Sequence, residues 1–131
     1  MQESRLEPDI VVYTIVIGGF FSVGMLKVSV GLFSSLFIKG LFPNVWTYNV
    51  VINGFCNRDL VAEAYKLFSK MEEKGIKRNV LSYSTMIQGF LHHGDSVRAV
   101  QLLQEIVNQG FFVDKTIVNI LVDMLSHEII S

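Results

Sequence analysis

Small hydrogen-bonding side chains recur in this chain at a fixed spacing. Thr14, Asn49 and Ser84 each follow a tyrosine (Tyr13, Tyr48 and Tyr83), and Asn119 extends the series. A second series, Asn44, Asn79 and Asp114, keeps the same 35-residue spacing. These groups are donors and acceptors rather than nucleophiles or metal ligands. A hydroxyl both donates and accepts, an amide carries two donors and one acceptor oxygen, and a carboxylate only accepts. Such side chains can read the polar edge of a ligand. They can equally be solvated residues, turn formers or helix N-caps.

No other grouping offers chemistry. His92 and His93 are adjacent, so on a helix they point in different directions, and they sit at a turn; His127 lies near the end of the chain. Glu72, Glu73 and Asp123 have no second carboxylate at a spacing suited to acid–base work. Cys56 is the single cysteine. It can form no disulfide within the chain and belongs to no Cys–His metal grouping, so a buried structural thiol in a reducing compartment is expected. Gly18 and Gly19 fall inside a helical pattern rather than a phosphate-binding loop. The expectation is a protein that is not an enzyme, with no catalytic residue, metal or cofactor.

The elements that carry the two series repeat with them. Pro8-Asp9-Ile10-Val11-Val12-Tyr13 returns as Pro43-Asn44-Val45-Trp46-Thr47-Tyr48 and again as Arg78-Asn79-Val80-Leu81-Ser82-Tyr83. Ile17, Ile52 and Ile87 share one site; Gly19, Gly54 and Gly89 share another; Gly40, Gly75 and Gly110 share a third. A period between about 20 and 50 residues means a stack of supersecondary units rather than a globule around one cleft. In the middle unit Tyr48, Val51, Ile52 and Phe55 recur at i, i+3, i+4, i+7, which predicts a first helix over 47–56. Asn57-Arg58-Asp59 breaks it. Leu60 to Lys74 reads as a second helix, with Ala64, Leu67, Phe68 and Met71 on one stripe and Gly75 as its stop. A single helix pair cannot bury both apolar faces, but stacked pairs can. The predicted fold is all-α: an α-solenoid of antiparallel helix pairs in a right-handed superhelix. The units run 10–44, 45–79 and 80–114, with 115–131 a partial fourth and 1–9 the tail of a preceding one.

The 131 residues carry a net charge of −1, so no global basic field advertises duplex DNA or a membrane surface. The uncharged run Ile10 to Leu26 approaches the length of a membrane span, but its counterparts in later units carry Arg58, Asp59, Glu63, Lys66, Asp95 and Arg98. A soluble helix pair with a greasy first copy fits better. The central unit is the most basic at net +2, and Arg58, Lys66, Lys70, Lys74, Lys77 and Arg78 read chiefly as a solvated face. No secretory or organellar targeting pattern stands in the acidic first residues.

The 35-residue period, Thr47-Tyr48-Asn49, and the Phe-x-x-Met-x-x-x-Gly run from Phe68 to Gly75 resemble the pentatricopeptide repeat family in its plain class, over about residues 8 to 125. The tetratricopeptide family has a shorter period and lacks the variable polar residue after the aromatic. The resemblance implies a single-stranded RNA-binding solenoid of plant mitochondria or chloroplasts that acts on transcript processing, stability or translation. It also implies that each repeat meets one base through two side chains. These would be Thr14 with Asn44, Asn49 with Asn79, and Ser84 with Asp114, while Asn119 would open a fourth pair. Val11, Trp46 and Leu81 would sandwich the bases. The chemistry fits, since unpaired bases expose their Watson–Crick edges. Asp114 can only accept and favours guanine or uracil; Asn44 and Asn79 can donate to the ring acceptor of adenine or cytosine. Short Thr14 and Ser84 leave room for a purine, and longer Asn49 favours a pyrimidine. The expected order is adenine, cytosine (uracil second), guanine.

The pattern departs from the family in two ways. Ser22, Asn57 and His92 stand where a phosphate-facing lysine is common. Three repeats are also few. Base contacts of about 1–3 kcal/mol each compete with an association cost of about 4–15 kcal/mol, so weak RNA binding is expected. A fragment, truncated product or non-functional remnant is one alternative. Others are a peptide-binding solenoid using the same concave surface, and self-association through the end repeats.

Overall fold

Thirteen-residue helices alternate with short turns along the chain. The structure, a computed structural model, describes residues 9–111, 115, 118–120, 122 and 126. The helices are α1 (Ile10–Ser22), α2 (Leu26–Ile38), α3 (Val45–Asn57), α4 (Val61–Glu73), α5 (Val80–His92) and α6 (Ser96–Asn108). Beyond them, 115, 118–120, 122 and 126 are helical. Val45, Val80 and Ile10 open helices, so each 35-residue period holds one first helix and one second helix.

Local chemistry sets the helix ends. The first helices start at side-chain caps: Asp9 accepts from the Val12 N–H, Asn44 from Thr47 and Asn79 from Ser82. Asn44 and Asn79 complete capping boxes with those hydroxyl residues. These caps, with burial of one face, hold Val- and Ile-rich segments helical against their strand propensity. The second helices end in glycine stops. Gly75 takes φ 75°, and the Ile76 N–H reaches back to the Met71 carbonyl at 2.8 Å. The turn inside each pair needs one left-handed residue. Gly24 and Gly94 supply it in the outer repeats, whereas the middle repeat uses Asp59 at φ 60°.

The first helices pack on one another along the stack, and each second helix packs on its own first helix. Neighbouring second helices barely touch, so the first helices form the more closely spaced layer. The core lies between the layers. Ile17, Ile52 and Ile87 are buried there with Leu36, Met71 and Ile106. Each joint repeats one aromatic contact, edge-to-face at 5.6 Å for Phe33 on Tyr48 and 5.2 Å for Phe68 on Tyr83. Ile120 is fully buried, so the stacking continues past α6.

The closeness of the first helices depends on a small residue. A Cβ on Gly54 would lie 2.5 Å from the Phe21 ring, and one on Gly89 would lie 2.6 Å from the Cys56 sulfur. Gly19, the same position in α1, has nothing within 4 Å. Cys56 is half-buried, with its Sγ 3.9 Å from the Thr85 carbonyl. Burial pushes its thiol pKa up to about 11.

The basic face needs one correction. Arg78 is not solvated: its side chain is only 12% exposed and lies 4.1 Å over the Phe68 ring. It pairs with Glu72 at 3.0 Å and Glu105 at 3.7 Å. Tyr83 donates to the same Glu105 and accepts from Gln109. Burial, then the bond to Glu105, raises the Tyr83 pKa. Arg78 occupies the site that holds Pro43 one repeat earlier, and periodicity alone gave no sign of its partners. No described helix is long and apolar enough to cross a membrane.

Candidate nucleic-acid interface

The two polar series converge at the joints between repeats. Residues 44 and 79 follow the second helix of one repeat and cap the first helix of the next. Residues 14 and 49 sit on the second turn of the preceding first helix. Helix-on-helix stacking brings the two sets together. Asn49 Nδ2 donates to Asn79 Oδ1 at 3.2 Å, across 30 residues of sequence. At the earlier joint Thr14 and Asn44 meet through one intermediary, Thr47. The Thr47 hydroxyl is 2.9 Å from the Thr14 hydroxyl and 3.0 Å from Asn44 Oδ1. Ser82 is the counterpart, with its hydroxyl 2.7 Å from Asn49 Oδ1 and 2.9 Å from Asn79 Oδ1.

The wiring decides which atoms remain for a ligand. The backbone N–H of Ser82 can only donate, so the end of Asn79 it meets at 2.9 Å must be the oxygen. The amide nitrogen of Asn79 therefore turns away from the helix, and no described group accepts from it. The same logic at Thr47 N–H, 3.0 Å from Asn44 Oδ1, leaves Asn44 Nδ2 as a donor. Asn49 uses its oxygen on Ser82 and one amide hydrogen on Asn79, so one hydrogen is left. Thr14 offers little: it is 1% exposed and its hydroxyl reaches the Ile10 carbonyl at 2.7 Å. Asn49 is 5% exposed, and Ser84 is 6% exposed with its hydroxyl on the Leu81 carbonyl at 3.1 Å. Asn119 is helical and exposed. Asp114, the expected partner of Ser84, lies outside the described residues.

Val11, Trp46 and Leu81 are exposed on the first turns of α1, α3 and α5, beside the polar pairs in sequence; Trp46 is 41% exposed. Toward the other end of α1 and α3 lies a groove of about 480 Å³, lined by Ser22, Asn53, Asn57 and Arg58 around Gly18 and Gly54. Arg58 brings a positive charge there. Its Nη2 also donates to the Phe21 carbonyl at 2.8 Å, capping the end of α1. Arg58, expected from sequence only as part of a solvated basic face, follows the helix end and reaches back to the preceding repeat. His93 behaves similarly, with Nδ1 2.8 Å from Asp59 across the next pair of turns. Among the described residues no group of His, Cys, Asp and Glu could hold a metal ion.

Comparison with known proteins agrees with this architecture. The pentatricopeptide repeat family model matches residues 8–57 and 43–92, and the single-repeat model matches 81–111. No curated protein matches the chain. Among solved structures it is similar to the pentatricopeptide repeat protein PPR10 from maize, with 24% identity and a TM-score of 0.75 over 93% of this chain. PPR10 in complex with an 18-nucleotide psaJ RNA element gives 27% identity and a TM-score of 0.79 over 91% of the chain. In each case the chain spans 18% of the PPR10 length. On its repeats, its helix pairs and the family models that cover most of it, the chain belongs to the pentatricopeptide repeat family.

Proposed function

We propose that the first-helix face binds single-stranded RNA with one base per repeat, 5′ to 3′ along the N-to-C direction. The bases are adenine at the first repeat, cytosine ahead of uracil at the second, and guanine at the third. The observation that carries this reading is the meeting of Asn49 and Asn79 at 3.2 Å across the joint. Two side chains that far apart in sequence, brought together with amide hydrogens left over, form a reading pair rather than two solvated residues. The hydrogens left over agree in kind with the assignment. Asn49 and Asn79 offer only donors, which suits the adjacent N3 and O2 acceptors of cytosine. Uracil has an N–H between its two carbonyls and comes second. At the first repeat Asn44 alone offers a donor beside a small, satisfied Thr14, which suits N1 of adenine and leaves room for a purine. Guanine at the third repeat rests on the sequence at Ser84 and Asp114.

Exposed Trp46 supports stacking, worth about 1–3 kcal/mol per base, and Arg58 supports a modest attraction to the backbone. RNA binding by PPR10 and the family resemblance support the same class of partner, and an organellar transcript as the target. Occupancy of that transcript, rather than chemistry upon it, is the proposed mode of action. The test is fluorescence anisotropy with labelled oligonucleotides centred on ACG against scrambled ones. Preference for ACG, lost in the pair variant Asn49→Asp with Asn79→Ala, is the expected result. Equal binding of both sequences would refute it. Indifference to base with retained binding of peptides would instead identify a protein-interaction solenoid.

A further inference from the structure

The reading pairs are held by a third residue that never faces the ligand. Thr47 and Ser82 are completely buried and occupy the same site of α3 and α5. Each hydroxyl lies within 3.0 Å of both members of the preceding pair: Thr14 and Asn44 for Thr47, Asn49 and Asn79 for Ser82. Each also accepts from the backbone N–H of its cap residue, at 3.3 Å for Asn44 and 3.2 Å for Asn79. A hydroxyl has one proton, so it cannot donate fully to both neighbours.

The competition can be resolved. Asn79 Oδ1 already accepts from the Ser82 N–H and from Asn49 Nδ2, which fills its two lone pairs. The Ser82 proton therefore goes to Asn49 Oδ1, the nearer oxygen at 2.7 Å. At the first joint the Thr14 proton goes to the Ile10 carbonyl at 2.7 Å, which leaves the Thr47 proton between the Thr14 hydroxyl at 2.9 Å and Asn44 Oδ1 at 3.0 Å. Each hydroxyl thus donates to an oxygen of the preceding pair. Without the Ser82 proton, Asn49 would bury an unpaired carbonyl oxygen, a cost that favours turning its amide over, and the turned amide presents an acceptor where the pair now offers a donor.

We propose that Thr47 and Ser82 are positioning residues that set the donor-only character of the two reading pairs, and with it the base each joint prefers. This rests on the proposed RNA reading. Specificity then depends on three side chains per joint, one of them buried and out of reach of the base.

The experiment compares the intact chain with Ser82→Ala and Ser82→Thr, measuring affinity for oligonucleotides that vary one base at a time and recording thermal midpoints in parallel. Ser82→Ala should narrow the preference for cytosine at the second base by about tenfold while leaving the first-base preference intact; Ser82→Thr should restore it. Thr47→Val, which keeps the volume, asks the same at the first joint. It should weaken the preference for adenine there and leave the second base alone, so a poorly folded Ser82→Ala does not stall the test. Unchanged preferences in both hydroxyl-deleted variants, with the intact chain discriminating, would overturn the relay but not RNA reading. An intact chain that shows no base preference would overturn both.

Discussion

Gly54→Ala, paired with Gly19→Ala, tests how the solenoid brings its proposed reading pairs together. The two glycines occupy the same site in successive first helices, so helix propensity acts equally on both. Replacing a helical glycine by alanine stabilises by about 1 kcal/mol where space allows. At Gly19 nothing lies within 4 Å, and the full gain is expected. At Gly54 the new Cβ would lie 2.5 to 2.7 Å from three Phe21 ring carbons, where carbon contacts need about 3.5–4.0 Å. Phe21 is buried and edge-on to Phe55 at 5.7 Å, so its ring has little room to turn. The remaining response is for α1 to back away from α3 by about 1 Å. Overpacking of this kind costs about 1–3 kcal/mol, which offsets or exceeds the propensity gain. The two variants should therefore differ in stability by about 1–3 kcal/mol, Gly19→Ala being the more stable. Urea unfolding followed by circular dichroism, with midpoints compared, reads the difference. The same displacement lengthens the 2.9 Å contact between Thr14 and Thr47, so Gly54→Ala should also weaken first-base preference. If Gly54→Ala matched Gly19→Ala in midpoint, the close α1–α3 approach would be wrong, and with it the geometry of the first pair.

Three further outcomes follow from the same contacts. Arg78→Ala should lower stability by about 1–3 kcal/mol, because it removes a guanidinium stacked on Phe68 as well as two ion pairs. Arg78→Met should recover more than half of that in urea unfolding, since exposed Glu72 contributes little. Cys56, with its pKa at about 11, should hold about one-hundredth the thiolate at pH 8 of a thiol at the ordinary value of 9.0, and react with iodoacetamide about tenfold more slowly once the greater nucleophilicity of its thiolate is counted. The folded state holds this proton more tightly than the unfolded state, so its contribution to stability is full below pH 9 and is lost as pH rises toward 11. Trp46→Ala should weaken RNA binding by about 1–3 kcal/mol and, with the residue 41% exposed, lower the unfolding midpoint less than truncation of a core aromatic such as Phe68.

The helices were legible in the sequence because packing imposes the same demand in every repeat. Tyr48, Val51 and Ile52 have to meet a neighbouring unit just as Tyr83, Met86 and Ile87 do, so the pattern returns and registers itself. Predicted and observed bounds differ by no more than two residues, since Val45 and Trp46 join α3 through the Asn44 cap. Features that break the repeat were hidden for the same reason. Arg78 stands where Pro43 stood, and its partners, Phe68 and Glu72, Tyr83, and Glu105, come from α4, α5 and α6 in turn. Arg58 and His93 look like polar turn residues, yet each reaches back to the previous turn. Spacing along one helix carries no information about such cross-repeat contacts. The hydroxyls of Thr47 and Ser82 were visible as part of the recurring Thr-Tyr and Ser-Tyr pairs. Only the stacking distance reveals that they touch both members of the preceding pair.

Helix capping and the proposed base reading, which look like rival explanations for Asn44 and Asn79, are compatible with one geometry. A cap needs one acceptor oxygen directed at the first turn of the helix. An amide is planar, with its nitrogen opposed to its oxygen. Fixing the oxygen on the Thr47 or Ser82 N–H therefore fixes the nitrogen's direction as well. The helix supplies the orientation, at no further entropic cost to the reading group when a ligand arrives. An aspartate at the same site would cap equally well but present a second oxygen, turning a donor into an acceptor without disturbing the fold. Serine would also cap, yet its single short hydroxyl would leave nothing to face outward. The cap requirement thus narrows the useful residues at this position to Asn and Asp, which are the types found at 44, 79 and 114. Stability and specificity can vary independently here because they depend on opposite ends of one side chain. Exchanging Asn79→Asp should accordingly change base preference at the second repeat while leaving the unfolding midpoint within about 0.5 kcal/mol of the parent.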